Sequence, residues 1–99
     1  MREITEEEKV SIQAFGALQY GSAEMFTILG WPESDFFAHL ECDGEFNRVY
    51  ERGRVMSLFK IDISLLTAAQ EGDLKALEFL DKRIKFRIDE DQRQAQAQA

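Results

Sequence analysis

Apolar residues recur every three or four positions along most of this chain, which is the repeat of an α-helix with one buried face. The longest such stretch is EFNRVYERGRVMSLFKIDISLLTAAQ, residues 45–70, where Phe46, Val49 and Gly53 begin a line that continues to Ala69. The β-branched residues are scattered and do not alternate with polar ones as they would in a half-buried strand. The pattern therefore predicts an all-α fold.

Local signals predict where the helices begin and end. Thr5 and Glu8 form the pair of a capping box, in which each side chain accepts a hydrogen bond from the other residue's backbone, so the first helix is expected to begin there. Gly30 is expected to end the second helix in a left-handed conformation. Further ends are predicted at Gly21, Asp43-Gly44 and Gly72, with Ser22, Pro32 and Asp73 opening the helices that follow.

The segment SAEMFTILGWPESDFFAHL, residues 22–40, has the outline of a helix-turn-helix: two short helices around a glycine corner. Residues 1–43 are accordingly predicted to form a three-helix helix-turn-helix unit. Residues 44–88 are predicted to contain a long helix and a C-terminal antiparallel αα-hairpin. The remaining DEDQRQAQAQA offers no apolar side chain larger than alanine, so residues 89–99 are predicted to be a disordered tail, with an extension of the last helix as the alternative.

Charge is divided unevenly along the chain, whose net charge is −7. Residues 1–45 contain ten acidic residues against two basic ones, whereas residues 46–99 contain ten basic against nine acidic. Because DNA binding depends on neutralising phosphates, a single copy of the acidic helix-turn-helix is expected to bind DNA weakly. The candidate DNA contacts are Ser34 and His39 on the third helix and Lys82, Arg83, Lys85 and Arg87 in the run KRIKFR. The alternative for that run is a solvated helix face paired with Asp81, Asp89 and Glu90.

No combination of residues predicts an enzyme, a metal site or a cofactor site. His39 is the one histidine and Cys42 the one cysteine, too few for a histidine-based metal cluster or a catalytic triad within one chain. Neither a signal peptide nor an apolar stretch near the ~20 residues of a membrane span is present, so we expect a soluble, cytoplasmic protein without a membrane partner. A chain of 99 residues buries a modest core, and association with further copies would stabilise it.

Two short motifs in the second half resemble the small subunits of tailed-bacteriophage terminases and their prophage relatives. In that family a helix-turn-helix is followed by a tyrosine–glycine–basic step, a long helix, an alanine–glycine–acidic corner and a last helix with aliphatic and aromatic residues. The matching positions here are Tyr50, Gly53 and Arg54, then Ala69, Gly72, Asp73 and Ala76, then Phe79 and Leu80. The resemblance covers roughly residues 10 to 87.

The resemblance implies a non-enzymatic DNA-packaging protein from the cytoplasm of an infected bacterium. Such proteins assemble into homo-oligomeric rings, recognise double-stranded viral DNA at the packaging site, and recruit or regulate the large subunit, which holds the ATPase and nuclease. The predicted self-association surface lies on the long helix and comprises Tyr50, Met56, Phe59, Ile63 and Leu66. The alternative is a helical protein–protein interaction or regulatory module that has the helix-turn-helix fold but does not bind DNA.

Overall fold

The computed structural model describes residues 2–98, with side chains described from Arg2 to Gln96. Over this range the chain forms five α-helices and no strand, which confirms the predicted all-α class. The helices are α1 (Glu6–Leu18), α2 (Ser22–Leu29), α3 (Glu33–Glu41), α4 (Glu45–Gln70) and α5 (Leu74–Gln98).

Most of the predicted helix ends are confirmed. The Glu8 N–H donates to Thr5 Oγ1 at 3.1 Å and the Thr5 N–H to Glu8 Oε1 at 2.9 Å, so the capping box is complete. Gly30 follows α2 in the left-handed region at φ 66°. The end of α1 differs: the helix was expected to end at Gly21, but it stops at Leu18 and is followed by Gln19 in the left-handed region at φ 58°. Gly21 in turn takes the capping position expected of Ser22, with its N–H bonded to the Glu24 carboxylate at 2.7 Å.

The structure divides into two compact units, and the division falls inside α4, after Phe59. The predicted boundary at residue 43 therefore lies within the N-terminal unit. This unit has a hydrophobic core built from both ends of its sequence, in which Phe36, Phe46 and Ile12 are almost fully inaccessible to solvent. Phe36 and Phe46 meet edge to face, with ring centroids 6.0 Å apart, a geometry that aromatic pairs favour. The other core members are Ile4, Phe15, Met25 and Trp31.

A close approach of α1 and α4 holds the N-terminal unit together. A Cβ built on Gly16 would lie 1.9 Å from the carbonyl oxygen of Tyr50, and one built on Gly53 would lie 1.9 Å from the carbonyl oxygen of Gln13. Only glycine lets the two backbones come this close. The Tyr50 hydroxyl adds a tether by donating to the Tyr20 carbonyl at 2.9 Å. The tyrosine–glycine step of the sequence thus has a structural reason within one chain.

The C-terminal unit is an antiparallel hairpin of the end of α4 and α5. Gly72 (φ 101°) closes α4: the Asp73 N–H donates to the Ala68 carbonyl at 3.0 Å and the Gly72 N–H to the Ala69 carbonyl at 3.1 Å, the two bonds of a Schellman motif. Asp73 then caps α5 by accepting from the Ala76 N–H at 3.1 Å. The alanine–glycine–acidic corner is therefore the hairpin turn itself.

The chain differs from the prediction at its C-terminus, because α5 continues through Gln98 where a disordered tail was expected from residue 89. The segment contains no glycine or proline, and alanine, glutamine and arginine all have high helix propensity. Arg93 also pairs with Glu90 one turn earlier, at 3.1 Å. Ala99, the last residue of the predicted tail, lies outside the described residues.

Candidate functional site

The third helix presents a different face from the one expected. His39 is 7% exposed, and its Nε2 lies 2.7 Å from the Arg2 carbonyl, to which it donates. Its ring packs on Trp31 with centroids 5.4 Å apart. The expectation that His39 is exposed is therefore wrong: the side chain lies one turn after Phe36, on the buried side of α3. Ser34 is exposed as expected, between the acidic Glu33 and Asp35.

Two of the four basic candidates near the C-terminus are engaged within the hairpin. Asp62 on α4 accepts from Arg83 Nε at 2.5 Å and from Arg87 at 2.9 Å. The hydrogen bond from Arg83, which has the larger effect, and the one from Arg87 hold the pKa of Asp62 below its ordinary value. Both arginines pair across the hairpin with this residue, whereas the sequence had suggested Asp81, Asp89 and Glu90. Lys82 and Lys85 are exposed.

The predicted self-association residues divide in the same way. Tyr50 is half-buried against the core of its own chain, so its aromatic ring is committed to the fold. The other four, Met56, Phe59, Ile63 and Leu66, are exposed large apolar side chains.

The two helices of the C-terminal unit face each other along residues spaced alternately four and three apart. Asp62, Leu65 and Ala69 form this line on α4, and all are partly buried. Ala76, Leu80, Arg83 and Arg87 form it on α5, and the Asp62 ion pairs join the two lines. Among the described side chains of this unit, Ala76 is the one that is buried. The hairpin therefore has almost no core of its own.

Apolar side chains that the sequence did not assign to the self-association surface flank this line on α5. Leu77 and Ile84 are 45% exposed, and Ile88 is 51% exposed. An α-helix turns 100° per residue, and in two antiparallel helices residues turned by the same angle from the facing line lie on the same side of the pair. Leu77, Ile84 and Ile88 therefore lie on the same side as Ile63 and Leu66, which are 44% and 41% exposed. We call these five residues the hairpin face. The spacing of seven and four residues between these side chains on α5 was visible in the sequence. Only the Asp62 ion pairs, which fix the register of the two helices, show that they lie on the same side of the hairpin as Ile63 and Leu66.

Comparison with protein-family models, with curated proteins and with solved structures finds no significant match. Within residues 2–98, no helix is long and apolar enough to cross a membrane. Nor do three histidine, cysteine, aspartate or glutamate side chains of this range converge as they would around a metal ion. The hairpin face is accordingly the feature on which a functional proposal can rest.

Proposed function

We propose that the protein is a non-enzymatic assembly protein of the terminase small-subunit kind, whose copies associate through the hairpin face. The observation that carries the proposal is the C-terminal unit, where up to Gln96 one alanine is buried while leucine and isoleucine side chains are about half exposed. Contiguous exposed apolar surface of this kind marks interaction sites in soluble proteins. Covering it with the same surface of another copy would supply the core that the hairpin lacks.

The finer part of the proposal is that the assembly recognises packaging-site DNA and recruits a large ATPase-nuclease subunit. Its support is the resemblance in motif order, together with the exposed Lys82 and Lys85. Of the basic residues predicted to contact DNA, one copy offers only these two lysines outside the described ion pairs, so useful affinity would come from many copies acting on one duplex.

The second candidate is a helical protein–protein module that does not bind DNA. The observations that favour it are the acidic exposed side of α3, the burial of His39, and the pairing of Arg83 and Arg87 with Asp62. Three of the six residues expected to contact DNA are therefore buried or paired with Asp62, and the other three, Ser34, Lys82 and Lys85, are exposed.

Self-association is tested by measuring the molar mass in solution by light scattering at tens of micromolar. We expect a multiple of the 11.4 kDa chain mass. Replacing Ile63 and Ile84 together by glutamate should reduce this mass, whereas Val10→Glu, which changes an exposed valine of α1, should leave it unchanged. A wild-type protein that is strictly monomeric at these concentrations would contradict the proposal.

DNA binding is tested separately, by fluorescence anisotropy of a labelled duplex titrated with the assembled protein at low salt. We expect affinity to fall when Lys85 is replaced by alanine, and to fall steeply with added salt. Assembled protein that does not bind the duplex at all would favour the second candidate and leave the self-association intact.

A further inference from the structure

The flank of α5 opposite the hairpin face has a regular composition of its own. Lys75, Phe79, Lys82 and Phe86 follow one another at spacings of four, three and four, so they form one stripe within a narrow wedge of the helix. Phe79 is 57% exposed and Phe86 is 65% exposed. The Lys82 ammonium lies 6.0 Å from the centre of the Phe79 ring. We call these four residues the basic stripe.

The exposed side of α3 has the opposite charge and the same arrangement, with a phenylalanine between two charged residues. Glu33, Phe37 and Glu41 follow one another at one-turn spacing, and all three are exposed, Phe37 by 43%. One edge of Phe37 packs against the core residue Phe36, with ring centroids 5.5 Å apart, yet 43% of the side chain remains accessible between the two carboxylates. We call these three residues the acidic stripe.

The two stripes match in length as well as in charge. At 1.5 Å of rise per residue, Glu33 and Glu41 lie about 12 Å apart along α3, and Lys75 and Lys82 lie about 10.5 Å apart along α5. Each pair of charges has a phenylalanine near its midpoint, Phe37 in one and Phe79 in the other. Laid against each other in either direction, the stripes place ring on ring and carboxylate on ammonium.

From this match we propose that the acidic stripe of one copy docks on the basic stripe of a second copy. The contact joins two different surfaces, so it leaves an unused stripe at each end of a pair and can extend to further copies until a ring closes. The inference rests on the self-association proposed above and adds to it a second contact, distinct from the hairpin face. It also gives the acidic third helix a protein partner where DNA would be repelled.

The decisive experiment uses two charge-reversed proteins, first separately and then mixed. One carries Glu33→Lys with Glu41→Lys, and the other carries Lys75→Glu with Lys82→Glu. Alone, each opposes like charges, and we expect the concentration for half-assembly to rise at least about tenfold in both. Mixed in equal amounts, they restore opposite charges at both kinds of junction, so assembly should return towards the wild-type value.

The design separates this contact from a general effect of charge. The first variant brings the net charge of the acidic chain nearer to zero and the second takes it further away, so general repulsion would strengthen one assembly and weaken the other. A single Lys60→Glu change, on an exposed lysine of α4, serves as the matched control and should leave assembly unchanged. Circular dichroism of each variant verifies that the helices remain folded.

A disulfide experiment identifies the occupant directly. In a Cys42→Ser background, copies carrying Phe37→Cys are mixed with copies carrying Phe79→Cys and oxidised. We expect a crosslinked pair of chains that forms faster in the mixture than in either protein alone. In a second oxidation one chain carries both Phe37→Cys and Phe79→Cys. If its two cysteines form a disulfide within that chain and none between chains, the inference is overturned.

The two proposals fail in distinguishable ways. If both charge-reversed proteins assemble as the wild type does while Ile63→Glu with Ile84→Glu is monomeric, the stripe contact is refuted and the hairpin face stands. If the charge reversals disperse the assembly and the isoleucine changes do not, the hairpin face is refuted and the stripe contact stands.

Discussion

Glu8 is the residue that ties the start of the chain to the core of the N-terminal unit. Its carboxylate accepts from the Thr5 N–H at 2.9 Å, from the Trp31 indole N–H at 2.6 Å and from Arg2 at 2.9 Å. Arg2 also lies over the Trp31 ring, 4.5 Å from its centre. The hydrogen bond from the Thr5 backbone, ahead of the one from Trp31, lowers the pKa of Glu8.

Glu8→Gln is expected to lower the free energy of unfolding by about 1–2 kcal/mol, because a charge-assisted acceptor becomes a neutral one. A carboxylate whose pKa is lowered in the folded state stabilises the protein above its unfolded pKa of about 4.3, and this contribution is lost as the pH falls through the folded value. The variant should therefore lack that part of the acid-induced loss of stability.

The free energy of unfolding of Glu8→Gln can be measured at pH 7 and at pH 3 by urea unfolding, followed by the fluorescence of Trp31, the one tryptophan of the chain. Glu7→Gln is the matched control, since Glu7 is exposed on the same turn. Equal loss of stability in both variants at pH 7 would contradict the role given to Glu8.

Gly53 is the second residue whose identity the fold requires. Because an added Cβ would meet the Gln13 carbonyl oxygen at 1.9 Å, Gly53→Ala must push α1 and α4 apart. We expect a loss of roughly 3 kcal/mol or more of unfolding free energy, at the upper end for overpacking. Gly21→Ala is the control, since the nearest atom to its added Cβ is 3.7 Å away. Thermal unfolding followed by circular dichroism measures both, and similar melting temperatures would refute the close crossing.

At the scale of single elements, Asp62 fixes the register of α4 against α5. Asp62→Asn removes the negative charge and one of the two acceptor oxygens, so the partly buried Arg83 loses its charge-assisted partner. We expect Asp62→Asn to weaken the hairpin by about 1–2 kcal/mol, with the share from the more exposed Arg87 small. Hydrogen exchange of α5 amides should then accelerate by about tenfold, while those of α1 remain protected. Asp81→Asn, on the exposed side of α5, is the control.

Helix ends were predictable wherever one residue type suffices. Thr5 with Glu8, Gly30 and Asp73 each act through a local hydrogen bond or a left-handed backbone, which sequence alone indicates. The ends that differ are those where two residues could serve. Gln19 takes the left-handed position although glycine stands two residues later, and Gly21 instead caps α2 through the bond from its N–H to the Glu24 carboxylate.

The misjudged side chains share a physical cause. His39 has a polar ring that periodicity placed outside, and its burial depends on the carbonyl of Arg2, a residue distant in sequence. Arg83 and Arg87 pair with a carboxylate more than twenty positions earlier. Helical repeats give the face of each residue within its own helix, but they do not tell which distant polar group satisfies it.

For the molecule as a whole, the hairpin face and the stripe contact differ in their physical basis, so salt should separate them. Raising NaCl to about 1 M shortens the Debye length to about 3 Å and screens exposed charge pairs, whereas apolar contacts persist. We therefore expect the wild-type mass to fall in salt to an intermediate value held by the hairpin face, without reaching a single chain. The protein carrying Ile63→Glu with Ile84→Glu should be smaller than wild type at low salt and monomeric at high salt. A wild-type mass that does not change with salt would mean that charge complementarity contributes nothing to the assembly, and the acidic stripe would then need another partner.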